Sequence, residues 1–306
     1  MNDTLRATAP VAVLHGAEKR YSDVTALAGI DLAVRPGEVV ALLGPNGAGK
    51  TTAVSLLLGL LRPSAGRAEL FGRDPQSRLA RQRTGAMLQI ASVPETLTVR
   101  EHLTLISSYY PRPRPIAETL ELAGLNGLEK RLYGKLSGGQ KRRLLFALAI
   151  CGRPEVLFLD EPSVGLDVEA RRKMWASVEA MADDGCTVFL TTHHLEEADV
   201  LASRVVVLHR GHIVAEGSSD EVKSLVGSKR VRCLTRCEPA DVRTWPGVVD
   251  VVVDAGHLVI TCESSEDVTR RLLAADPGLS GLEVSAAGLE EAMLQLTNDD
   301  NLEEAA

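Results

Sequence analysis

The sequence predicts an α/β fold built on a parallel sheet, followed by a smaller α+β module. Three observations carry that prediction. Val156–Asp160, Thr187–Thr192 and Val205–His209 are continuous apolar runs rich in β-branched residues, the pattern of strands buried on both faces. Helical segments, Val168–Asp183 and Leu195–Ala202, separate them, and such alternation argues for parallel strands. A glycine-rich stretch, Gly44-Pro45-Asn46-Gly47-Ala48-Gly49-Lys50-Thr51, joins an apolar strand to a segment of helical spacing.

The elements follow in chain order. Val11–His15 and Ile30–Val34 have strand-like length and composition. Arg35-Pro36-Gly37 is a turn, and Glu38–Leu43 is a buried strand that ends at Gly44. Helical spacing runs from Lys50 to about Leu60, where Arg62-Pro63-Ser64 breaks it, and Ala68–Phe71 is another strand. From about Val99 to Cys151 the pattern is mainly helical. Within it, Tyr110-Pro111-Arg112-Pro113-Arg114-Pro115 is a rigid loop, because its prolines cannot lie inside a helix. The pattern changes near Gly227-Ser228-Lys229-Arg230. Short strands (Val231–Leu234, Val248–Val253, Leu258–Cys262) and helices (Glu266–Ala274, Leu289–Leu296) follow, with Gly256 in a hairpin turn. The expected domains are residues 1–227 and 228–297, with 298–306 as an acidic solvated tail.

Composition narrows the function classes. At 306 residues and 45% hydrophobic content, burying a core presents no difficulty. The net charge of −7 gives no electrostatic footprint for nucleic acid. The longest apolar run, Leu144 to Cys151, is far short of the ~20 residues of a membrane helix. The N-terminus lacks a basic region followed by an apolar stretch, so a cytosolic chain without a signal peptide is expected. The scattered cysteines, Cys151, Cys186, Cys233, Cys237 and Cys262, read as reduced thiols. Cys233 and Cys237 with His209 and His212 make a zinc site conceivable, but a strand and a turn explain those positions more simply.

The stretch from Gly44 to Thr51 matches the phosphate-loop pattern G-x-x-x-x-G-K-[ST] in its required strand-loop-helix context. Its backbone N–H groups can turn inward on an anion, and a helix N-terminus adds partial positive charge. Lys50 reaches the β- and γ-phosphates, the Thr51 hydroxyl binds Mg²⁺, and Thr52 can contact the α-phosphate. Asp160 ends an apolar strand, where a carboxylate can hold Mg²⁺. Glu161 follows and points a different way, so it can face an attacking water as general base.

Adding Leu136-Ser137-Gly138-Gly139-Gln140, the sequence resembles the ABC ATPases over about residues 11–226. Lys50 and Thr51 match the family's Walker A residues, Asp160 the Walker B aspartate, and Glu161 the catalytic glutamate. Ser137, Gly138, Gly139 and Gln140 match the signature motif. Gln89 matches the Q-loop glutamine that touches Mg²⁺ and relays to the membrane subunit. Asp167 lies in the D-loop match, Gly165-Leu166-Asp167. His193 matches the switch histidine near the γ-phosphate, with His194 a bystander, and Tyr21 matches the aromatic that stacks on adenine. There are departures: Ser163 stands where threonine is common, and the helical region between Glu101 and Leu136 is a little short and holds the proline-rich loop.

The resemblance implies a RecA-like core, an antiparallel β subdomain and a helical signature subdomain, with ATP and Mg²⁺ as ligands. In that family the signature of one subunit closes over ATP bound to its partner, so a homodimer, or a heterodimer with a related ATPase, is expected. A polytopic membrane permease is the other expected partner, holding the chain at the inner face of the cell membrane. Thr191–Asp199 and Leu289–Thr297 resemble the drug-resistance exporter branch, whose members also carry a small C-terminal domain. The alternative is a soluble ABC ATPase acting on ribosome or DNA. A single ATPase domain without a coiled-coil or zinc insertion, and the net acidity, favour the exporter. A P-loop kinase or GTPase leaves Leu136–Gln140 unexplained.

Overall fold

The computed structural model describes residues 9–89, 93–225, 229–286 and 288–297. The chain divides into two compact units, the first ending at Glu216 and the second beginning at Gly217. The boundary expected at 227/228 and the expected tail at 298–306 lie outside the described residues.

The first unit opens with β1 (Ala12–Tyr21) and β2 (Val24–Val34), then β3 (Val39–Leu43), α1 (Lys50–Leu57), β4 (Ala65–Leu70), α2 (Arg78–Arg81) and β5 (Thr84–Met87). Next come α3 (Val99–Ser107), α4 (Ile116–Leu122), a 3₁₀ turn at Tyr133–Lys135, and α5 (Gly138–Ile150). It closes with β6 (Val156–Asp160), α6 (Val168–Asp183), β7 (Thr187–Thr191), α7 (Leu195–Leu201), β8 (Arg204–His209) and β9 (His212–Gly217).

Two sheets result. A three-stranded antiparallel sheet has the order β2-β1-β4, and a six-stranded sheet the order β5-β6-β7-β3-β8-β9. The strands from β5 to β8 are parallel. Every residue of β3, β6 and β7 is buried, as their continuous apolar runs require. The Arg210-Gly211 turn, both residues at positive φ, joins β8 to β9. Helix α1 touches β1, β2, β4 and β6, so one apolar cluster, including Leu14, Leu27, Leu42, Val54, Leu56 and Phe158, binds both sheets around it. Helices α3, α4 and α5 pack on one another, and α5 also packs on β5. The proline-rich stretch forms the loop between α3 and α4, as its missing donors dictate.

The second unit holds α8 (Ser219–Ser224), β10 (Lys229–Leu234), α9 (Pro239–Val242), β11 (Val248–Asp254), β12 (His257–Cys262), α10 (Ser265–Ala275), β13 (Ser280–Ala286) and α11 (Leu289–Thr297). Its antiparallel sheet has the order β11-β12-β10-β13. Ala255 and Gly256, both at positive φ, form the hairpin turn between β11 and β12. Val231, Val251 and Ile260 meet Val242, Val268 and Leu272 in a separate core.

Candidate nucleotide site

The loop after β3 is shaped by close approach of backbone. A Cβ on Gly44 would lie 2.2 Å from the Leu208 carbonyl oxygen, and one on Gly49 would lie 2.4 Å from that of Ala26. Both positions therefore require glycine. Gly49 precedes α1 and offers no capping side chain. By contrast, Thr98, Ser137, Asp167 and Ser264 cap α3, α5, α6 and α10. An uncapped first turn leaves its N–H groups for an anion.

Lys50 begins α1 and is buried. Its ammonium donates to the carbonyl oxygens of Gly44 (2.6 Å) and Pro45 (3.1 Å), which orients it and leaves one of its three donors free. Burial pushes its pKa below the ordinary lysine value, while Glu161 and Asp160 pull it back up. A cavity of about 250 Å³ lies at this loop. Asn46, Gly47, Ala48, Gly49, Lys50, Thr51, Thr52, Gln89 and Glu161 line it, together with Ala26.

Asp160 lies behind that lining, 1% exposed. Its Oδ1 accepts from the Thr191 hydroxyl (2.5 Å), and its Oδ2 is buried with no protein partner. A buried, orphaned carboxylate oxygen beside a threonine-bearing helix start suits a hard cation that takes oxygen ligands. The donor set of Asp160, Thr51 and Gln89 therefore fits Mg²⁺. Among the described residues no group of three or more His, Cys, Asp or Glu side chains is placed to hold a metal.

Glu161 has φ +52°, a left-handed conformation that costs a non-glycine residue ~1–2 kcal/mol. Its N–H donates to the Thr191 carbonyl (3.0 Å) and hydroxyl (3.3 Å). The turn separates the two acids, leaving Asp160 buried behind the cavity and Glu161 in its wall. His193 Nδ1 lies 2.6 Å from Glu161 Oε2. An ionised carboxylate only accepts, so that ring nitrogen carries the proton. The His194 ring packs against that of His193, tilted by 36° with centroids 4.2 Å apart.

The other predicted residues stand outside the cavity. Ser137 and Gln140 form a capping box at the start of α5: Gln140 N–H donates to Ser137 Oγ (3.2 Å), and Ser137 N–H to Gln140 Oε1 (3.0 Å). The serine hydroxyl hydrogen stays available to a further acceptor. A Cβ on Gly138 would meet nothing within 4 Å. Asp167 caps α6 by accepting from Ala170 N–H (2.8 Å). Tyr21 is 44% exposed at the end of β1, with Lys19 Nζ 5.3 Å from its ring centroid.

Sequence reading missed Thr191, which it took as one more β-branched strand residue. It also missed Glu197. This fully buried carboxylate accepts from Trp175 Nε1 (2.9 Å) and the Ser163 hydroxyl (3.3 Å). It thereby ties the segment after Glu161 to the helix after His193.

The ABC transporter family profile matches residues 27–164. The daunorubicin resistance ATP-binding protein DrrA3 of Streptomyces coeruleorubidus is 40% identical, across 95% of this chain and 97% of that one. The Nod factor export ATP-binding protein I of Burkholderia orbicola is 38% identical, across 92% and 94%. A solved ATP-binding subunit of an ABC transporter superposes with a TM-score of 0.66 at 26% identity, across 71% of this chain and 93% of that one. A post-hydrolysis dimer of the cassette MJ0796 bound to ADP and Pi superposes with a TM-score of 0.63 at 24% identity, across 68% and 98%. A phosphate loop, two acids at the end of β6 and a separate signature helix on this fold, with relatives along nearly the whole chain, place the protein in the ABC transporter family as an ATP-binding, ATP-hydrolysing subunit.

Proposed function

We propose that this chain powers export through separate membrane subunits, and that it does so as an ATP-closed dimer. The names of its relatives, drug resistance and Nod factor export, support the direction of transport. One observation carries the dimer. The phosphate cavity is lined by the loop, Gln89 and Glu161, and Ser137–Gln140 stand outside it. Gly138 has open space around it and no positive φ, so its own chain does not require glycine there. A close approach from outside explains it, and the uncommitted Ser137 hydroxyl hydrogen faces the same visitor. That visitor is the nucleotide of a second copy or of a related ATPase.

In this reading Lys50 and the first N–H groups of α1 hold the ATP phosphates, and Asp160, Thr51 and Gln89 would hold Mg²⁺. The metal would neutralise charge on the phosphates. Glu161 takes the proton of the attacking water, and His193 fixes its carboxylate. Tyr21 stacks on adenine, and Asp167 and Gln140 order the segments at the dimer contact.

A polytopic permease is the second partner, and it holds the chain at the inner face of the membrane. No described helix is long and apolar enough to cross one. Met87 and Leu88 line an apolar cavity of about 350 Å³ with Leu58, Ile106, Tyr110 and Leu145, while the next residue, Gln89, lines the nucleotide cavity. Three consecutive residues thus join an apolar docking surface to the phosphate site.

Mixing two inactive variants tests the dimer. A Lys50→Ala subunit lacks its phosphate contact, and a Ser137→Arg subunit blocks its signature face. In the mixed dimer one site pairs both lesions and the other pairs neither, so hydrolysis should return. Specific activity that stays constant on dilution to the monomer would refute the dimer.

A further inference from the structure

Arg142 stands early in α5, just beyond Ser137–Gln140, and its side chain turns toward the end of β6. The guanidinium donates to four backbone carbonyls on two segments. Nε reaches the Pro162 oxygen (3.1 Å) and Nη1 the Gln89 oxygen (3.2 Å). Nη2 reaches the Asp160 oxygen (3.1 Å) and the Glu161 oxygen. Three consecutive carbonyls, those of the metal-site aspartate, the base and the residue after it, converge on one cation. The fourth belongs to Gln89. A planar fork with five donors in fixed geometry can serve four acceptors at once.

The segment needs such an anchor. Glu161 sits at φ +52°, and three successive carbonyls turned to one point gather like partial charge. From the other side, Thr191 on β7 holds the Glu161 N–H through its carbonyl and hydroxyl. The peptide that carries the base is therefore clamped at its N–H by β7 and at its C=O by α5.

We infer that Arg142 is a positioning residue for ATP hydrolysis: it fixes the Glu161 peptide so that the carboxylate faces the phosphate cavity, and it makes Glu161 and Gln89 move together with the signature helix. It touches no reacting atom. The inference rests on the reading of Glu161 as base. A different role is open to a cation here, since its charge also lies near Asp160 and Glu161. Lysine keeps that charge and loses the fork, so Arg142→Lys separates the two.

The test uses the purified full chain and measures kcat, KM for ATP, the pH profile of kcat and the thermal midpoint. Arg142→Lys should lower kcat on the order of 10²-fold, as a misplaced catalytic group does. KM for ATP and the position of the pH profile should stay as in the parent. Arg142→Ala should do no less, and the lysine variant answers the question if alanine fails to fold. A second arm places Arg142→Lys in a Glu161→Gln background. With the base gone its position no longer matters, so residual turnover should not fall further. Wild-type kcat in Arg142→Lys would overturn the inference, because charge alone would then suffice. Equal fold losses in the two backgrounds would overturn it too. Failure of the base reading shows separately, as normal turnover in Glu161→Gln alone.

Discussion

The two units of this chain bury polar groups in different ways. In the first, charged side chains go inside and take polar partners there, Asp160 through one of its two oxygens. Asp160 meets Thr191, Glu197 meets Trp175 and Ser163, and Lys50 meets its own loop. Arg204 grips Glu38 through two bonds, 2.6 and 2.9 Å, and also reaches the Ala33 carbonyl (2.6 Å). In the second unit the buried set is almost wholly apolar. Asp276 sits at its margin, accepting from Thr235 Oγ1, Arg236 N–H and Gly278 N–H. Its edge strand β11 exposes Val249, Val252 and Val253. A unit that does chemistry must desolvate ions, whereas a unit that only folds can leave them in water. The contrast predicts where single substitutions cost most.

The largest effect belongs to Glu161→Gln. The amide keeps the shape and accepts no proton, so turnover should fall about 10²–10⁴-fold. ATP binding should survive, and the ATP-bound dimer should persist longer on gel filtration. Turnover near the parent value would remove Glu161 from its role.

Arg204→Ala should come next, through stability. Arg204 and Glu38 are 12% and 13% exposed at their side chains. Stranding Glu38 should cost about 3 kcal/mol in urea unfolding. Burial raises the Glu38 pKa, but the Arg204 bonds and the Arg35 N–H outweigh it and hold it below the ordinary value. That stabilisation is present above the unfolded carboxylate pKa and lost as pH falls through the lower folded one. The variant keeps the Arg35 N–H bond and loses the Arg204 ones, so that slope should weaken.

Lys50→Ala removes a charge-assisted contact to the phosphates. Losing ~2 kcal/mol would weaken ATP binding about 30-fold, with the fold intact. A titration with unchanged affinity would contradict the phosphate role.

Glu197→Gln sharpens the contrast from the other direction. Burial raises the Glu197 pKa, and bonds from Thr192, Trp175 and Ser163 only partly offset it. A raised carboxylate stabilises the fold below the unfolded pKa, and that contribution is lost as pH rises through the folded value. Glutamine can accept from Trp175 Nε1 through its amide oxygen and donate its amide N–H to Ser163 Oγ, without the buried charge. The variant should therefore gain thermal midpoint on the parent as pH rises from about 4 toward 8. A difference that does not change with pH would place the charge elsewhere.

Much of this was legible in the sequence, for identifiable reasons. Buried parallel strands write themselves as apolar runs, so β6, β7 and β8 were predicted nearly to the residue. The phosphate loop was legible because glycine is forced at Gly44 and Gly49 by carbonyls from other elements. What was missed depends on pairing. Strand β5 carries no apolar run, and its Gly85 is dictated by the Ala149 carbonyl oxygen, 2.0 Å from where a Cβ would stand. Strand β1 was legible only as far as His15, because register shifts between Leu14 and Glu18 hide the alternation of its second half. Strand β13 lies at an edge with an exposed pattern. Arg142 looks like any cation in the run Lys141-Arg142-Arg143, because its acceptors are backbone carbonyls, which no side-chain pattern records.

The smallest expected effect comes from removing the second unit, and it tests the comparison most directly. The nucleotide cavity is lined only by residues of the first unit. Strand β9 ends at Gly217 and completes the six-stranded sheet, so a chain ending at Ser218 keeps every strand of that sheet. The removed part has its own core and its own sheet, and α8 packs on α11 within it. Sites that share no partners add nearly independently, so ATP affinity should change by no more than about twofold. Circular dichroism should show the shortened chain folded. Dimer lifetime or coupling to the permease should suffer more than nucleotide binding, if the second unit serves assembly. A shortened chain that is folded and yet cannot bind ATP would mean that the second unit helps build the nucleotide site. The contrast between a chemical unit and a merely packed one would then fail.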